Sequence, residues 1–109
     1  MNQLPEVIRT IERVSPDVVQ QAATFQAAIL ADVAGRRGTM HARVAPVHER
    51  MRLAGPAFTV EVRPGDNLMI HAAIALAQPG DILVIDGKGD QTAALMGTLM
   101  LSACKKRGL

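Results

Sequence analysis

Apolar residues Leu4, Val7, Ile8, Ile11 and Val14 recur at helical spacing, and Pro5 suits a first helical turn. They predict a helix up to Val14. A second helix starts at Ser15, a good N-cap followed by Pro16 and the dipole-complementing Asp17, and runs to Gly35 as its C′ residue. Residues 36–50 lose any clean period. They carry Arg36, Arg37, Arg43 and Arg50 with His41 and His48, and predict an exposed or ligand-facing loop. The period then changes to two. Phe58, Val60 and Val62 alternate with Thr59, Glu61 and Arg63, as in a half-exposed strand ended by Pro64 and Gly65.

The segment NLMIHAAIALAQ (67–78), with Asp66 or Asn67 as its cap, reads as a helix apolar almost all round and buried on more than one side. After a PGD turn, ILVID (82–86) is a β-branched run typical of a strand buried on both faces. The last segment, TAALMGTLMLSACKKRGL (92–109), reads as helical, with Lys105, Lys106 and Arg107 at its dipole-favoured end and Gly108 as a C-cap. The organisation is one domain over 1–109: helical 5–35, loop 36–50, βαβα 56–107. The span 58–85 forms a parallel βαβ unit with a right-handed crossover. Two strands cannot cover two apolar helices. The chain is therefore expected to be part of a larger domain, or to complete its core by association rather than stand as a compact monomer.

Composition narrows the classes. The 109 residues are 49% hydrophobic and 20% charged, an ordinary globular profile. Phe25 and Phe58 are the two aromatic residues, so the core is aliphatic, and base stacking on single-stranded nucleic acid has little to work with. A net charge of +2 implies no specific partner. The lone Cys104 lies in a small-residue apolar run and reads as a packed thiol in a reducing cytoplasm. No apolar run approaches the ~20 residues of a membrane span, and the charged N-terminal segment is unlike a signal peptide.

Candidate chemistry gathers in PGDILVIDGKGDQTAALMG (79–97). Asp86, Gly87, Gly89 and Asp90 follow a strand, at the carboxyl end where open α/β sheets hold ligands. Gly87 and Gly89 equally suit a plain tight turn. The dinucleotide fingerprint is incomplete, because its sixth position is Thr92. Gly97 costs roughly 0.5–1 kcal/mol inside a helix. It costs nothing at a helix start, where the N–H groups of Gly97, Thr98, Leu99 and Met100 would form an anion site. The competing reading is a glycine that lets two helices approach. Asp81, Asp86 and Asp90 could contribute to magnesium binding, although Asp81 reads better as a turn residue. His71 reads as a hydrogen-bonded core residue, and His41 and His48 as solvated. No nucleophile–base pair is identifiable.

Taken together, GPAFTV (55–60), GDNL (65–68), AQPGDILVIDG (77–87) and ALMGTLM (94–100), with ILADVAGRRGTM (29–40) before them, resemble the family that contains the 4-hydroxy-4-methyl-2-oxoglutarate aldolases and the ribonuclease E activity regulators. The resemblance implies an α/β fold, a three-layer α/β/β sandwich of the swivelling-domain type, assembled as homotrimers or hexamers. For the aldolase branch it implies a lyase dependent on Mg or Mn. Such enzymes cleave 4-hydroxy-4-methyl-2-oxoglutarate and 4-carboxy-4-hydroxy-2-oxoadipate to pyruvate and a second oxo acid, and decarboxylate oxaloacetate. The family's G-x-L-M segment holds the pyruvate carboxylate through main-chain amides; Gly97, Thr98, Leu99 and Met100 match it. The metal ligand and substrate-binding arginine belong to an Arg-Asp motif expected beyond Leu109, so the resemblance places no metal ligand within this chain. The partners implied are a small 2-oxo acid and further copies of the chain, without nucleic acid or membrane. The alternatives are a regulator that binds and inhibits ribonuclease E, or a non-catalytic fragment.

Overall fold

The structure, a computed structural model, describes residues 6–109. The chain forms two compact units, 14–56 and the combination of the N-terminal segment up to Arg13 with 57–109.

In the unit 14–56, α1 (Pro16–Ala23) starts as expected: Ser15 Oγ accepts the Val18 N–H, Pro16 is at the start and Asp17 is in the first turn. The helix expected to continue to Gly35 instead breaks at Thr24–Gln26 and resumes as α2 (Ala27–Val33). Thr24 explains the stop. Its N–H and its hydroxyl both donate to the Gln21 carbonyl, tightening the last turn and removing that acceptor from the α-helical ladder. Gly35, at φ +74°, then closes α2 while the Arg36 N–H donates to the Ala31 carbonyl, the Schellman arrangement. Residues 36–50 lack regular structure and are exposed, as expected of a loop.

The other unit carries the sheet. β1 (Ala57–Glu61) and β2 (Ile82–Asp86) pair in parallel, from Ala57 opposite Ile82 to Glu61 opposite Asp86. The crossover is α3 (Leu68–Leu76), and α4 (Thr98–Arg107) follows β2. Phe58 and Val62 are buried between exposed Thr59, Glu61 and Arg63, the alternation read from sequence. Val62, Ile70, Ile74, Met100 and Cys104 make one cluster; Phe58, Ala73 and Ala77 make another. Cys104 is thus a packed thiol. The fully buried Ile70 side chain is worth roughly 1.5–3 kcal/mol of burial.

Several expectations are corrected. Leu4 and Pro5 of the first predicted helix lie outside the described residues, and residues 6–14 are not helical. The segment is held by tertiary contacts instead: Ile11 packs on the Phe58 cluster, and Arg13 reaches Asp81 across 68 residues. Arg13 Nε donates to Asp81 Oδ1 at 2.7 Å and its Nη2 to Oδ2 at 2.8 Å. The guanidinium carbon also sits 6.0 Å from the centroid of the Phe58 ring. Asp81 closes the turn after Pro79 and Gly80, as read from the sequence; it is 1% exposed there and also accepts the Gln78 N–H. Arg13 comes first among the influences that hold its carboxyl below the ordinary range. β2 is half-buried, not covered on both faces, and β1 is its one strand partner among the described residues. α3 buries Ile70, Ala73 and Ile74 while Leu68, His71 and Ala75 are exposed, so His71 is not a core residue.

Candidate functional site

β2 delivers Asp86 to the carboxyl end of the sheet, opposite Glu61. The chain then turns through Lys88 (φ +62°) and Gly89 (φ +70°), and the Asp90 N–H returns to the Gly87 carbonyl. Two successive left-handed residues make a type I′-like turn. Gly89 adopts that conformation freely, but Lys88 pays roughly 1–2 kcal/mol of backbone strain. Asp86 Oδ1 accepts the Lys88 N–H at 2.9 Å. The Lys88 ammonium reaches Glu61 Oε1 at 3.0 Å and Asp86 Oδ2 at 3.3 Å. Glu61 first, then Asp86, raise the lysine above its usual range. The Lys88 N–H, followed by its ammonium, lowers Asp86. Asp90 is likewise lowered, by the Thr92 hydroxyl at 2.6 Å and then the Thr92 N–H. These carboxylates are ionised at neutral pH and suited to accept hydrogen bonds, not to donate protons.

Residues 92–97, expected to be helical, are irregular, and α4 begins at Thr98. Asp90 captures Thr92, and Asn67 Nδ2 donates to the Leu95 carbonyl at 3.2 Å. Both interactions compete with helical bonding. Asn67 also points its amide at Met100 Sδ, 3.7 Å away. It therefore ties the start of α3 to the start of α4, a role that its reading as a simple cap misses. The cap bond comes from Asp66, whose carboxylate accepts the Leu68 N–H. Gly87 lies against Leu95, so closely that a β-carbon at 87 would come within 2.9 Å of Leu95 Cδ1. The strand-end loop and the approach to α4 are in contact.

Gly97 is the N-cap of α4, in extended backbone (φ −128°, ψ 178°) with no side-chain cap. The backbone there is unstrained, and a β-carbon would meet nothing within 4 Å. Neither conformational need nor helix packing explains the glycine. The first α4 backbone bond runs from the Leu101 N–H to the Gly97 carbonyl, which leaves the first-turn N–H groups without helical partners. Thr98 and Leu99 are exposed, while Met100 is buried and anchors the turn. The arrangement can receive an anion at a bare, positively polarised helix start.

Metal binding has less to work with. Among the described residues no three His, Cys, Asp or Glu side chains are grouped to hold an ion. Asp81 is engaged by Arg13. His41 and His48 are exposed, and each uses Nδ1 to accept the N–H two residues on, from Arg43 and Arg50. Among the described residues no helix is long and apolar enough to cross a membrane.

Residues 15–109 match the RraA-like family, described as Aldolase/RraA. A Halalkalibacterium halodurans protein named "Putative 4-hydroxy-4-methyl-2-oxoglutarate aldolase" is 36% identical over 93 residues, covering 85% of this chain and 44% of that relative. The chain thus spans under half the length of the curated relative it matches.

Proposed function

The chain belongs to the RraA-like family, and on that premise we propose that it serves a divalent-metal-dependent lyase acting on pyruvate-forming 2-oxo acids. The substrates proposed are 4-hydroxy-4-methyl-2-oxoglutarate, 4-carboxy-4-hydroxy-2-oxoadipate and oxaloacetate. One observation carries the reading: the bare first turn of α4, opened by a glycine that neither strain nor packing requires. Gly97, Thr98, Leu99 and Met100 would donate main-chain N–H groups to the carboxylate of the pyruvate unit. The Asp86–Asp90 loop would wall the cleft beside it. Charge-assisted bonds of this kind orient a small oxo acid and favour the anionic form that develops as its carbon–carbon bond breaks.

The Mg or Mn ion belongs to the proposal as a cofactor that would supply Lewis-acid chemistry. The described residues do not form a ligand set for it. A cytoplasmic setting is proposed on the lone thiol of Cys104. The test is pyruvate release from oxaloacetate, with and without magnesium. Release above the spontaneous rate that disappears in Gly97→Val supports the reading. Release unaffected by that substitution, or none at all, counts against it.

We also propose a homo-oligomer, trimeric or hexameric. β1 and β2 each have one strand partner among the described residues, and Leu99 and Leu101 of α4 are 87% and 57% exposed. A two-stranded sheet is marginal without further cover. Light scattering should return a mass well above 11.6 kDa; a soluble monomer that unfolds cooperatively would refute the assembly.

A further inference from the structure

We infer that the outer edge of β1 docks on the same edge of a second copy, the two strands antiparallel about a two-fold axis at Thr59, an inference that deepens the homo-oligomer proposed above and rests on it. The direction of the main chain is the starting point. β1 pairs with β2 along its length, and the Val62 N–H donates to the Asp86 carbonyl. Main-chain groups point alternately to the two edges of a strand, so Phe58 and Val60 face β2 as Val62 does, and Ala57, Thr59 and Glu61 face away from it. Among the described residues β2 is the one strand partner, and no other hydrogen bond reaches the main-chain groups of these three positions. An open row of donors and acceptors is a template for another strand, and native edges are commonly blunted by proline or lysine. The outward positions of β1 carry neither; Pro56 and Pro64 lie outside the strand.

The edge is also self-complementary. With the axis at Thr59, this residue meets its own copy and Ala57 meets Glu61 in both directions. All of them face outward, so each pair can exchange main-chain N–H···O=C bonds. Opposed threonines are a favourable pair, and no charge stands opposite a like charge. Glu61 is moreover bound to Lys88. The two Glu61 side chains are separated by the span from 57 to 61, roughly 13 Å of strand, which exceeds the screening length of about 8 Å in physiological salt.

Beside this edge runs a groove that β1 lines together with Leu68, Met69, Ala72 and Leu76 of α3. Leu68 is 68% exposed and the other three are half-buried. Phe58 packs with Ala73, and Val62 with Ile70 and Ile74, which sets α3 on one face of the sheet. A two-fold axis through Thr59 and perpendicular to the sheet keeps both α3 helices on that face, one on each side of the seam, and turns these apolar residues toward each other. Edge pairing and apolar cover then arise together, in one sheet of order β2-β1-β1-β2 in place of a two-stranded one that is marginal alone. Glu6, Val7 and Ile8 also border the groove, but among the described residues they make no hydrogen bond to β1, and Ile8 is 64% exposed, so an incoming strand can displace them. The outer edge of β2 is the poorer surface. It offers Leu83 and Ile85, and no β2 residue lines the groove.

Sedimentation velocity on the 109-residue chain tests this. The unmodified chain should form dimers or larger even-numbered assemblies. Thr59→Pro removes an outward N–H and leaves the bonds to β2 in place. It should fold, as read by circular dichroism, and associate at least about tenfold more weakly. Thr59→Lys and Thr59→Glu each set like charges opposite one another at the axis, and each should weaken association roughly threefold to fivefold. An equimolar mixture of these two should regain most of the loss, because position 59 meets itself. A folded Thr59→Pro chain that associates as tightly as the unmodified one overturns the inference and leaves the oligomer standing, as does an odd-numbered assembly. If Thr59→Pro does not fold, the mixture decides: association no tighter than that of either variant alone overturns the inference. A monomeric unmodified chain removes the oligomer and this interface together.

Discussion

Arg13→Ala is expected to destabilise the chain, because it strips the guanidinium partner from a carboxylate that is itself 1% exposed. Asp81 is 1% exposed, and without Arg13 its charge keeps the Gln78 N–H as its hydrogen-bond donor. The N-terminal segment would also lose its two-pronged hold, and Ile11 its reason to stay on the Phe58 cluster. Urea denaturation checks it, and a shift of the midpoint worth less than about 1 kcal/mol would show that the bridge is dispensable. The acid limb gives an independent reading. Because the native pKa of Asp81 is depressed, the unfolded chain binds its proton first. The stabilisation is therefore fully present above the unfolded value near 3.9 and is lost as pH falls through the lower native value. Between pH 5 and 7 this pair should contribute no slope. Below about pH 4 it should, and Arg13→Ala should flatten that limb.

Gly97→Val should leave the fold intact and weaken pyruvate binding by about one to two orders of magnitude. The protein itself has room: a β-carbon at 97 meets nothing within 4 Å, and φ −128° suits a β-branched residue. The effect therefore rests on the ligand alone. Valine would crowd a carboxylate drawn close to the main chain. Loss of one or two charge-assisted bonds costs roughly 1.5–3 kcal/mol, and 1.4 kcal/mol is tenfold. Circular dichroism establishes folding and calorimetry the affinity. Unchanged pyruvate affinity in a folded variant would remove Gly97 from the cradle.

The elements legible in the sequence were those specified by local rules. Alternation around Phe58 marks β1, the run from Ile82 marks β2, and Ser15, Gly35 and Gly108 mark helix ends through capping chemistry. The misreadings arise where a side chain reaches across the chain. Val7, Ile8 and Ile11 have helical spacing, yet Arg13 commits their segment to a partner 68 residues away. Thr92 to Met96 have helical composition, yet Asp90 and Asn67 take up their backbone and side-chain groups. His71 was assigned to a core because its helix is apolar, but a two-stranded sheet covers one side of it. Of the candidate site, Asp86, Gly87, Gly89 and Asp90 stand at a strand end and Gly97 at a helix start, as their positions suggested. The ion pairs of Lys88 with Glu61 and Asp86 are not legible in the sequence, because they depend on the register of two strands.

The bridge between Arg13 and Asp81 also sets an order of events during synthesis. Residues 6–13 emerge from the ribosome well before their partners. At about 5–20 residues per second, a separation of 68 residues means roughly 3–14 s before Asp81 is even made. For that interval the segment has neither its acceptor nor a completed Phe58 cluster to rest on, and Ile8 and Ile11 are open to chaperones and to neighbouring nascent chains. The short segment of the sheet unit that is translated first is thus among the last of its pieces to be fixed.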